Sequence, residues 1–343
     1  MKIKKLTALL LLLCLLLGGC TLPVPEVPTV PNGDTLTVHF IDVGQADCVL
    51  LECGGEYMLI DGGNVGDGSL VVSYLQQQGV EELNTVVCTH AHEDHVGGLP
   101  AILAVFPTKA VYSPTKTYAS KVFDNFMYYV DQQRLEVTLP VPGDSFTLGG
   151  AKVTVLGPVK SYAETNDTSI VLKVEFGKNS FLFTGDMEVA AENDMLDRGL
   201  AVRADVLRAG HHGSDTSTGY RFLYEVEPTY TVISVGEGNT YGHPNDSTLS
   251  KLSDAGCTIF RTDHLGTVIA TSDGTDITFT WENQNATPDN ATAVAARYIG
   301  NVNSRKFHTE DCASLPSEKN QVIFDSYSEA IKAGYTPCGS CLP

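Results

Sequence analysis

The sequence is poor in positive charge. Its 343 residues carry 22 Lys and Arg against 41 Asp and Glu, which gives a formal net charge of −19. Residues 34–283 hold 14 of the basic and 34 of the acidic side chains. Because non-specific affinity for nucleic acid comes mainly from cations that displace counterions, this shortage argues against a passive nucleic-acid-binding module. It does not exclude a nuclease, since bound metal ions supply local positive charge at a scissile phosphate.

The sequence also lacks a long apolar run. The run 6–17 follows three lysines and is too short to span a bilayer comfortably. Leu17-Gly18-Gly19-Cys20 comes next, so residues 1–20 have the basic, apolar and small-residue order of a secretory signal. The ending resembles a bacterial lipobox, which implies lipidation of Cys20 and a protein anchored on the extracellular face of the cell membrane. The alternative is an ordinary signal peptide with an incidental Cys. Residues 21–33 form a stiff, Pro-rich linker.

Histidine is scarce as well, with nine in the chain and none between His95 and His211. Three of the nine stand close together after an apolar run, residues 84–88, that is typical of a buried strand. In extended backbone, side chains two apart face the same way, so the first two histidines can converge on one ion. Gly97-Gly98 predicts a tight turn into a helix, which brings the last two ligands toward a second position. Imidazoles with a carboxylate suit zinc or another borderline ion. The candidate ligands are His90, His92, Asp94 and His95.

Further motifs follow this cluster in a fixed order, and together they resemble the metallo-β-lactamase superfamily. Over residues 34–283 they resemble in particular the hydrolase domain of ComEC-type competence proteins. The motifs are Val38–Asp47 (VHFIDVGQAD), Leu59–Gly63 (LIDGG), Thr89–Gly98 (THAHEDHVGG), Phe183–Asp186 (FTGD), Gly210–Ser214 (GHHGS) and Tyr241–Pro244 (YGHP). Gln45-Ala46-Asp47 departs from that pattern by having Ala where Gly is usual.

The resemblance implies a fold and a set of site residues. Residue patterns alone indicate a mixed α/β chain; the resemblance implies the four-layer αβ/βα sandwich with two divalent metal ions, zinc or manganese. Asp186 matches the bridging carboxylate, and Asp61 matches a residue that orients a ligand histidine. His211 or His212 matches the last metal ligand, and we prefer His211, with His212 then facing the substrate. A metal-bound hydroxide would attack the substrate, and Asp94 and His243 are the candidate catalytic residues.

The absence of a histidine between His95 and His211 is a departure from many members of the superfamily. Asn166-Asp167-Thr168-Ser169 stands in the matching place. Asp167 is the candidate metal ligand there, and Asn166 would be a weak, neutral one. Because an oxygen ligand favours harder ions, this departure shifts the preference toward manganese.

Two other motif positions are candidates for contact with the substrate. His243, in Tyr241–Pro244, is placed to donate a proton to a leaving oxygen. The hydroxyls of Ser214 and Ser217 can bind phosphate oxygens, although both serines are equally consistent with roles in turns or helix caps. The remaining strand cysteines are typical of small buried apolar residues.

A second unit follows a linker at residues 284–296. Residues 297–343 carry His308, Cys312, Cys338 and Cys341 in two pairs, which is the spacing of a structural zinc site. A unit this short needs such a cross-link to fold alone. The segment resembles the metal-binding domain of Ada-type DNA repair proteins, with His308 where that family has Cys, which puts a methyl-accepting thiol in doubt. One or two disulfides are the alternative, and the unit either contacts DNA or is only a stable module.

The sequence therefore predicts a surface-anchored, metal-dependent phosphodiesterase or nuclease that acts on DNA. It would degrade one strand beside a separate DNA-uptake channel or scavenge extracellular nucleic acid. A phosphodiesterase that acts on cell-wall or lipid-derived esters is the second hypothesis, and the acidic surface suits it better. A non-catalytic nucleic-acid receptor is the third. The motifs and the missing histidine argue against β-lactam hydrolysis.

Overall fold

The computed structural model describes residues 33–290, 297–310, 312–325 and 327–342. The predicted signal segment, the lipidation site Cys20 and nearly all of the Pro-rich linker lie outside these residues. Within the described ranges, no helix has both the length and the apolar character needed to cross a membrane.

Two eight-stranded sheets make up most of the molecule. The first has the strand order β15-β14-β1-β2-β3-β4-β5-β6, and the second has the order β16-β13-β12-β11-β10-β9-β8-β7. The strands of the first sheet are β1 (Leu36–Phe40), β2 (Val49–Cys53), β3 (Glu56–Ile60), β4 (Leu83–Val87), β5 (Thr108–Tyr112), β6 (Val137–Thr138), β14 (Val268–Ser272) and β15 (Ile277–Trp281). Those of the second are β7 (Ser145–Leu148), β8 (Ala151–Gly157), β9 (Val171–Phe176), β10 (Asn179–Phe183), β11 (Val206–Arg208), β12 (Tyr230–Ile233), β13 (Thr258–Arg261) and β16 (Asp289–Asn290).

Helices cover the outer face of each sheet. On the first sheet lie α1 (Gly68–Gln77), α2 (Glu93–Val96), α3 (Leu99–Val105) and α4 (Lys121–Gln132). On the second lie α5 (Val189–Asp197), α6 (Tyr220–Val226) and α7 (Asp246–Asp254), and a single turn, α8 (Thr262–Leu265), follows β13.

Alternation along the strands builds three apolar layers. In β10, Phe181 and Phe183 pack between the two sheets, whereas Leu182 packs against the helices of the second sheet. In β2, Leu51 faces the space between the sheets and Leu50 faces helices α1, α3 and α4. Because successive side chains of a strand point to opposite faces, a sheet covered on both sides needs apolar residues at every position. The result is the four-layer αβ/βα sandwich that the sequence predicts.

The second sheet ends in the hairpin β7–β8. Gly149 turns there with φ +52°, and a Cβ on it would lie 2.2 Å from the carbonyl oxygen of Cys53. Strand β5 pairs in parallel with β4, a long-range contact that its own five residues do not reveal.

The C-terminal residues form a small sheet of their own. Its strand order is β19-β17-β18-β20. The elements are β17 (Tyr298–Asn301), β18 (Lys306–Thr309), β19 (Gln321–Phe324), α9 (Tyr327–Lys332) and β20 (Thr336–Pro337). This unit packs on helices α6 and α7: the ring of Tyr327 stacks on Tyr220 at a centroid distance of 5.2 Å, and the Tyr298 hydroxyl donates to Asp254 Oδ2 at 2.7 Å.

Candidate metal centre

The first group of metal-binding side chains begins where β4 ends. Beyond β4 the chain turns away from the sheet, and His92 caps helix α2 in extended backbone, with φ −70° and ψ 152°. The glycines after α2 let the chain press against the loop that follows β3, since a Cβ on Gly98 would lie 1.9 Å from the carbonyl oxygen of Gly62. The side chains placed by this turn are His90, His92, Asp94 and His95.

Residues from the second sheet complete a four-residue group. Asp186 follows β10, and His212 lies in a 3-10 turn, Gly210–Gly213, after β11. The Nε2 atom of His212 lies 3.2 Å from Asp94 Oδ2 and 3.6 Å from Asp186 Oδ2. The Nε2 atom of His95 lies 3.3 Å from the same Asp186 oxygen. One ligand atom from each of the four residues falls within 4.8 Å of the others, so the group has the size of a metal site.

His90 and His92 form a second pair of donors beside this group. His90 Nε2 lies 3.1 Å from His92 Nδ1 and 4.0 Å from Asp186 Oδ2. Two ring nitrogens at this separation suit a shared cation. Because the Asp186 carboxylate faces both sets of donors, it has the position of a ligand that bridges two ions.

The hydrogen bonds behind the ligands fit a bound metal. His95 Nδ1 donates to Asp61 Oδ2 at 2.7 Å, which leaves His95 Nε2 as a buried acceptor without a hydrogen-bond partner. Asp61 is held in turn by the backbone N–H of Thr89 at 2.8 Å and by its hydroxyl at 2.6 Å. His212 Nδ1 donates to the carbonyl oxygen of Ser234 at 2.9 Å. An imidazole whose one nitrogen donates to oxygen can present the lone pair of the other nitrogen to a metal ion once that nitrogen has lost its proton, and both histidines have this arrangement.

The buried charges of the site are strongly coupled. Burial would raise the pKa of Asp186, but His95 and His212 outweigh it and hold that pKa well below its ordinary value. Burial would likewise lower the pKa of His95, but Asp186 and Asp61 raise it well above the usual range. Burial lowers the pKa of His90, which is therefore a neutral donor. Ionised carboxylates beside histidines that hold protons fit a site where cation binding releases protons.

Arg208 and Asp47 belong to the centre although the sequence analysis did not select them. The Arg208 guanidinium is buried, pairs with Asp47 Oδ2, donates to the carbonyl oxygen of Gly185 at 2.5 Å and lies 3.6 Å from Asp186 Oδ1. Asp47 Oδ2 lies 3.8 Å from His95 Nδ1. The available signal was position, because Arg208 ends β11 shortly before the two histidines and Asp47 closes the first motif.

The four-residue group contains His212 and not His211, the residue preferred from the sequence. His212 is buried, whereas the side chain of His211 is 24% exposed. Both residues adopt left-handed backbone, with φ 53° and 51°, so their side chains diverge. His211 Nδ1 lies 3.4 Å from Glu188 Oε1 and 3.2 Å from Thr216 Oγ1. His211 Nε2 lies 3.8 Å from Asp186 Oδ2, so His211 stands at the edge of the centre and is more exposed than His212.

The structure does not bring Asp167 into either set of donors. Asp167 Oδ1 accepts from the backbone N–H of Glu188 at 3.1 Å, and Asn166 Nδ2 donates to Glu188 Oε1 at 3.2 Å. Both side chains therefore fix the loop after Asp186. Ser169 comes closer: its Oγ accepts from the backbone N–H of Asp186 at 3.0 Å and lies 3.4 Å from His90 Nδ1.

The candidate substrate contacts divide into two kinds. The ring of His243 lies at the mouth, 5.6 Å from the ring of His211, and Gln45 Nε2 is 3.4 Å from its Nδ1. Ser214 Oγ is bound to Thr216 Oγ1 at 3.0 Å. Ser217 is buried and donates to the carbonyl oxygen of Met187, so it has a structural role. Of these three residues, His243 is the candidate proton donor, because its ring lies at the mouth of the site.

The four predicted ligands of the C-terminal unit come together. His308 Nδ1 lies 3.3 Å from Cys312 Sγ, and one ligand atom from each of the four residues lies within 4.8 Å of the others: His308, Cys312, Cys338 and Cys341. The cysteines of the described ranges are all free thiols. Burial would raise the pKa of Cys338, but the backbone N–H groups of Ser340 and Cys341 outweigh it and lower that pKa. The donor set suits tetrahedral zinc.

The chain belongs to the metallo-beta-lactamase superfamily, whose sequence profile matches residues 41–237. Residues 283–343 match the metal binding domain of Ada. The chain is thus a metal-dependent hydrolase with an added zinc-binding domain, and both resemblances noted in the sequence are confirmed.

Three relatives share the hydrolase region. ComE operon protein 3 of Bacillus subtilis (strain 168) is 27% identical over 67% of this chain and 32% of its own length. Recombination protein 2 of Haemophilus influenzae is 31% identical over 64% of this chain and 26% of its own length. Competence protein ComA of Neisseria gonorrhoeae is 29% identical over 74% of this chain and 34% of its own length. The chain spans about a third or less of each relative.

Proposed function

We propose that this protein is a metal-dependent phosphodiesterase that cuts DNA outside the cell. The observation that carries the proposal is Asp186, which faces two adjacent sets of donors, because hydrolases of phosphodiesters commonly use two neighbouring divalent ions. The competence and recombination proteins among the relatives support DNA as the substrate.

The side chains of the centre have different roles in the proposed hydrolysis. Two bound divalent ions would supply a water of lowered pKa and neutralise charge on the phosphoryl oxygens. Asp61, Ser234 and Arg208 fix the ligands from behind. His243, at the mouth, is placed to give a proton to the leaving oxygen, and Gln45 beside it orients its ring.

The location of the protein is part of the proposal. The apolar segment and Cys20 support a lipid anchor on the extracellular face of the membrane. An enzyme held there would degrade one strand beside a separate uptake channel or scavenge extracellular DNA. The zinc-binding domain stands beside the hydrolase as a stable module or as a DNA contact.

One observation favours a second candidate, a phosphodiesterase for cell-wall or lipid-derived esters. The formal charge of −19 opposes the approach of a polyanion more than that of a small ester. A non-catalytic nucleic-acid receptor is less consistent with the structure, since the donor sets are whole.

The test is hydrolysis by the full chain purified in detergent. Single- and double-stranded DNA and bis-p-nitrophenyl phosphate are offered to the metal-free protein and then with manganese or zinc. We expect DNA cleavage that requires the metal and is lost in Asp94→Ala. Cleavage of the small diester with DNA left intact would favour the wall or lipid ester. A protein that binds the metal and DNA but cleaves neither substrate would favour the non-catalytic receptor.

A further inference from the structure

A groove of about 570 Å³ lies beside the donor pair of the metal centre. Its lining includes Ala91, which stands between His90 and His92, and Thr168, the residue before Ser169. The groove thus adjoins the backbone segment that carries the two histidines. A chain bound in the groove would lie next to that half of the centre.

The lining of the groove contrasts with the acidity of the domain. Asp and Glu outnumber Lys and Arg by 34 to 14 over residues 34–283, yet the described residues that line the groove include Lys160 and no carboxylate. The larger cavity between the hydrolase and the zinc-binding domain, in comparison, is lined by three carboxylates and two cations: Asp215, Asp254, Glu310, Lys251 and Arg297. The lining of the groove, unlike that of the cavity, places no carboxylate against an anionic substrate.

Two tyrosines give the groove an aromatic surface, and each is held from behind. Tyr118 packs edge-on against Phe123 at a centroid distance of 6.0 Å, and its hydroxyl lies 3.5 Å from Thr165 Oγ1 on the opposite wall. The Tyr162 hydroxyl donates to Asp194 Oδ2 at 3.2 Å. Lys160 pairs with the same carboxylate at 2.5 Å and lies 5.1 Å from the centroid of the Tyr162 ring.

Threonine and serine hydroxyls also belong to the lining, together with apolar residues. The hydroxyl groups are those of Thr115, Thr117 and Ser161, and the apolar residues include Leu139 and Pro158. Aromatic rings with a nearby cation and hydroxyl groups are the combination by which proteins bind single-stranded nucleic acid, because unpaired bases offer flat faces for stacking. The bases of a duplex are stacked on one another and offer no such faces.

We propose that this groove binds unpaired nucleotides of a single strand next to the scissile phosphate. The inference rests on the proposed function and deepens it, because it makes single-stranded DNA the preferred substrate and assigns the stacking to Tyr118 and Tyr162.

Steady-state cleavage of a labelled single-stranded oligonucleotide by the full chain tests the groove. We expect Tyr118→Ala and Tyr162→Ala each to raise KM for the oligonucleotide about tenfold, with a smaller change in kcat, on the scale of one base–aromatic stack. Tyr118→Phe and Tyr162→Phe keep the rings and should stay within about twofold of the unmodified protein. The matched control is Tyr128→Ala, which removes a 54% exposed tyrosine on α4 outside the groove.

A second substrate keeps the test decisive where an alanine variant fails to fold. An oligonucleotide with abasic positions beside the cleavage site offers no base to stack, so KM of the unmodified protein for it should rise by about the same factor as in the alanine variants. Duplex DNA should be cut less well than the single strand. Two results would overturn the binding role of the groove and leave DNA hydrolysis in place. One is an equal KM for the intact and the abasic strand; the other is a KM for Tyr118→Ala and Tyr162→Ala that equals the KM for Tyr128→Ala. An unmodified protein that cuts the small diester but no DNA would overturn the proposed function as well.

Discussion

At the scale of single residues, the centre concentrates charge where water is excluded. Asp47, Asp61 and Asp186 are all buried, and the Arg208 guanidinium is the permanent cation beside two of them. A buried ion pair costs desolvation, and removal of one partner leaves the other as an uncompensated charge. Arg208 therefore helps to hold the carboxylates of Asp47 and Asp186 in place.

The replacement of Arg208 tests this role. Arg208→Met preserves volume but removes the guanidinium partner of Asp47, so we expect the free energy of unfolding to fall by about 3–5 kcal/mol and metal affinity to weaken. Urea unfolding and metal titration by calorimetry measure the two effects. The control is Arg203→Met, which breaks an exposed pair with Glu227 and should cost about 0–1 kcal/mol. Equal losses in the two variants would refute the role of Arg208.

At the scale of elements, the metal ligands depend on how closely two loops approach. The backbone N–H of Gly62 donates to the carbonyl oxygen of His95 at 2.8 Å, and the N–H of Gly98 donates to that of Gly63 at 3.0 Å. These bonds join the loop after β3, which carries Asp61, to helix α2, which carries Asp94 and His95. Glycine is needed at both 62 and 98 because neither loop has room for a Cβ.

A methyl group at position 98 should separate these loops. Gly98→Ala puts its Cβ against backbone, which cannot rotate away, so we expect a loss of about 1–3 kcal/mol or more in stability. Metal stoichiometry should fall too, since His95 moves from Asp61. Thermal unfolding and metal analysis measure both. The matched control is Gly66→Ala, in the next turn, where nothing lies within 4 Å of the added Cβ. A Gly98→Ala protein with full metal content would contradict the argument.

The carboxyl group of Glu192 on helix α5 makes the free energy of unfolding depend on pH. Burial raises the pKa of Glu192 to about 7, although its carboxylate accepts from the N–H groups of Thr218 and Gly219 at 2.6 and 2.9 Å. Lys251 and Asp167 also act on it. The native state therefore holds a proton between about pH 4.5 and 7 that the unfolded chain releases, and stability falls as pH rises through this window.

The change of the free energy of unfolding with pH is the quantity that tests the role of Glu192. Glu192→Gln removes the titration, so the fall in stability between pH 5 and 7 should become shallower than in the unmodified protein, by at most about 1.4 kcal/mol per pH unit. Denaturant unfolding at several pH values, in constant chelator, gives both slopes. Glu225→Gln, an exposed substitution on α6, is the control. If the free energy of unfolding of Glu192→Gln fell with pH as steeply as that of the unmodified protein, the contribution of Glu192 would be excluded.

The sequence predicted the strand before the first histidines, the helix that follows them and the ligands that share one motif. His90 to His95 could be placed because four donors stand within six residues next to a strand. His212 could not be distinguished from its neighbour, since the choice depends on left-handed backbone at both residues. Asp167 was expected to be a ligand and instead binds a backbone N–H, and Ser169 stands closer to His90. Contacts between distant segments, such as that of Arg208 with Asp47, leave no local pattern.

At the scale of the whole molecule, the hydrolase and the zinc-binding domain differ in what stabilises them. The three apolar layers of the hydrolase consist of residues from that region alone. The C-terminal core is a small cluster around Tyr298, Phe307 and Phe324, and tyrosines of α6 complete it. A unit of this size rarely folds on so small a core without a cross-link. Zinc should therefore decide the folding of the second domain and leave the first intact.

Cys338→Ser separates these two contributions. We expect zinc content to fall by one ion per chain, and amide exchange in β17, β18 and β19 to lose its protection, because structural zinc contributes directly to folding energy. Exchange in β1–β4 and the ions of the hydrolase centre should be unchanged. Cys257→Ser, at a buried thiol in the hydrolase, is the control for loss of a cysteine as such. Unchanged zinc content together with a disulfide between Cys312 and Cys338 in the unmodified protein would instead show that sulfur–sulfur bonds stabilise this domain, the alternative that the proposed extracellular location would favour.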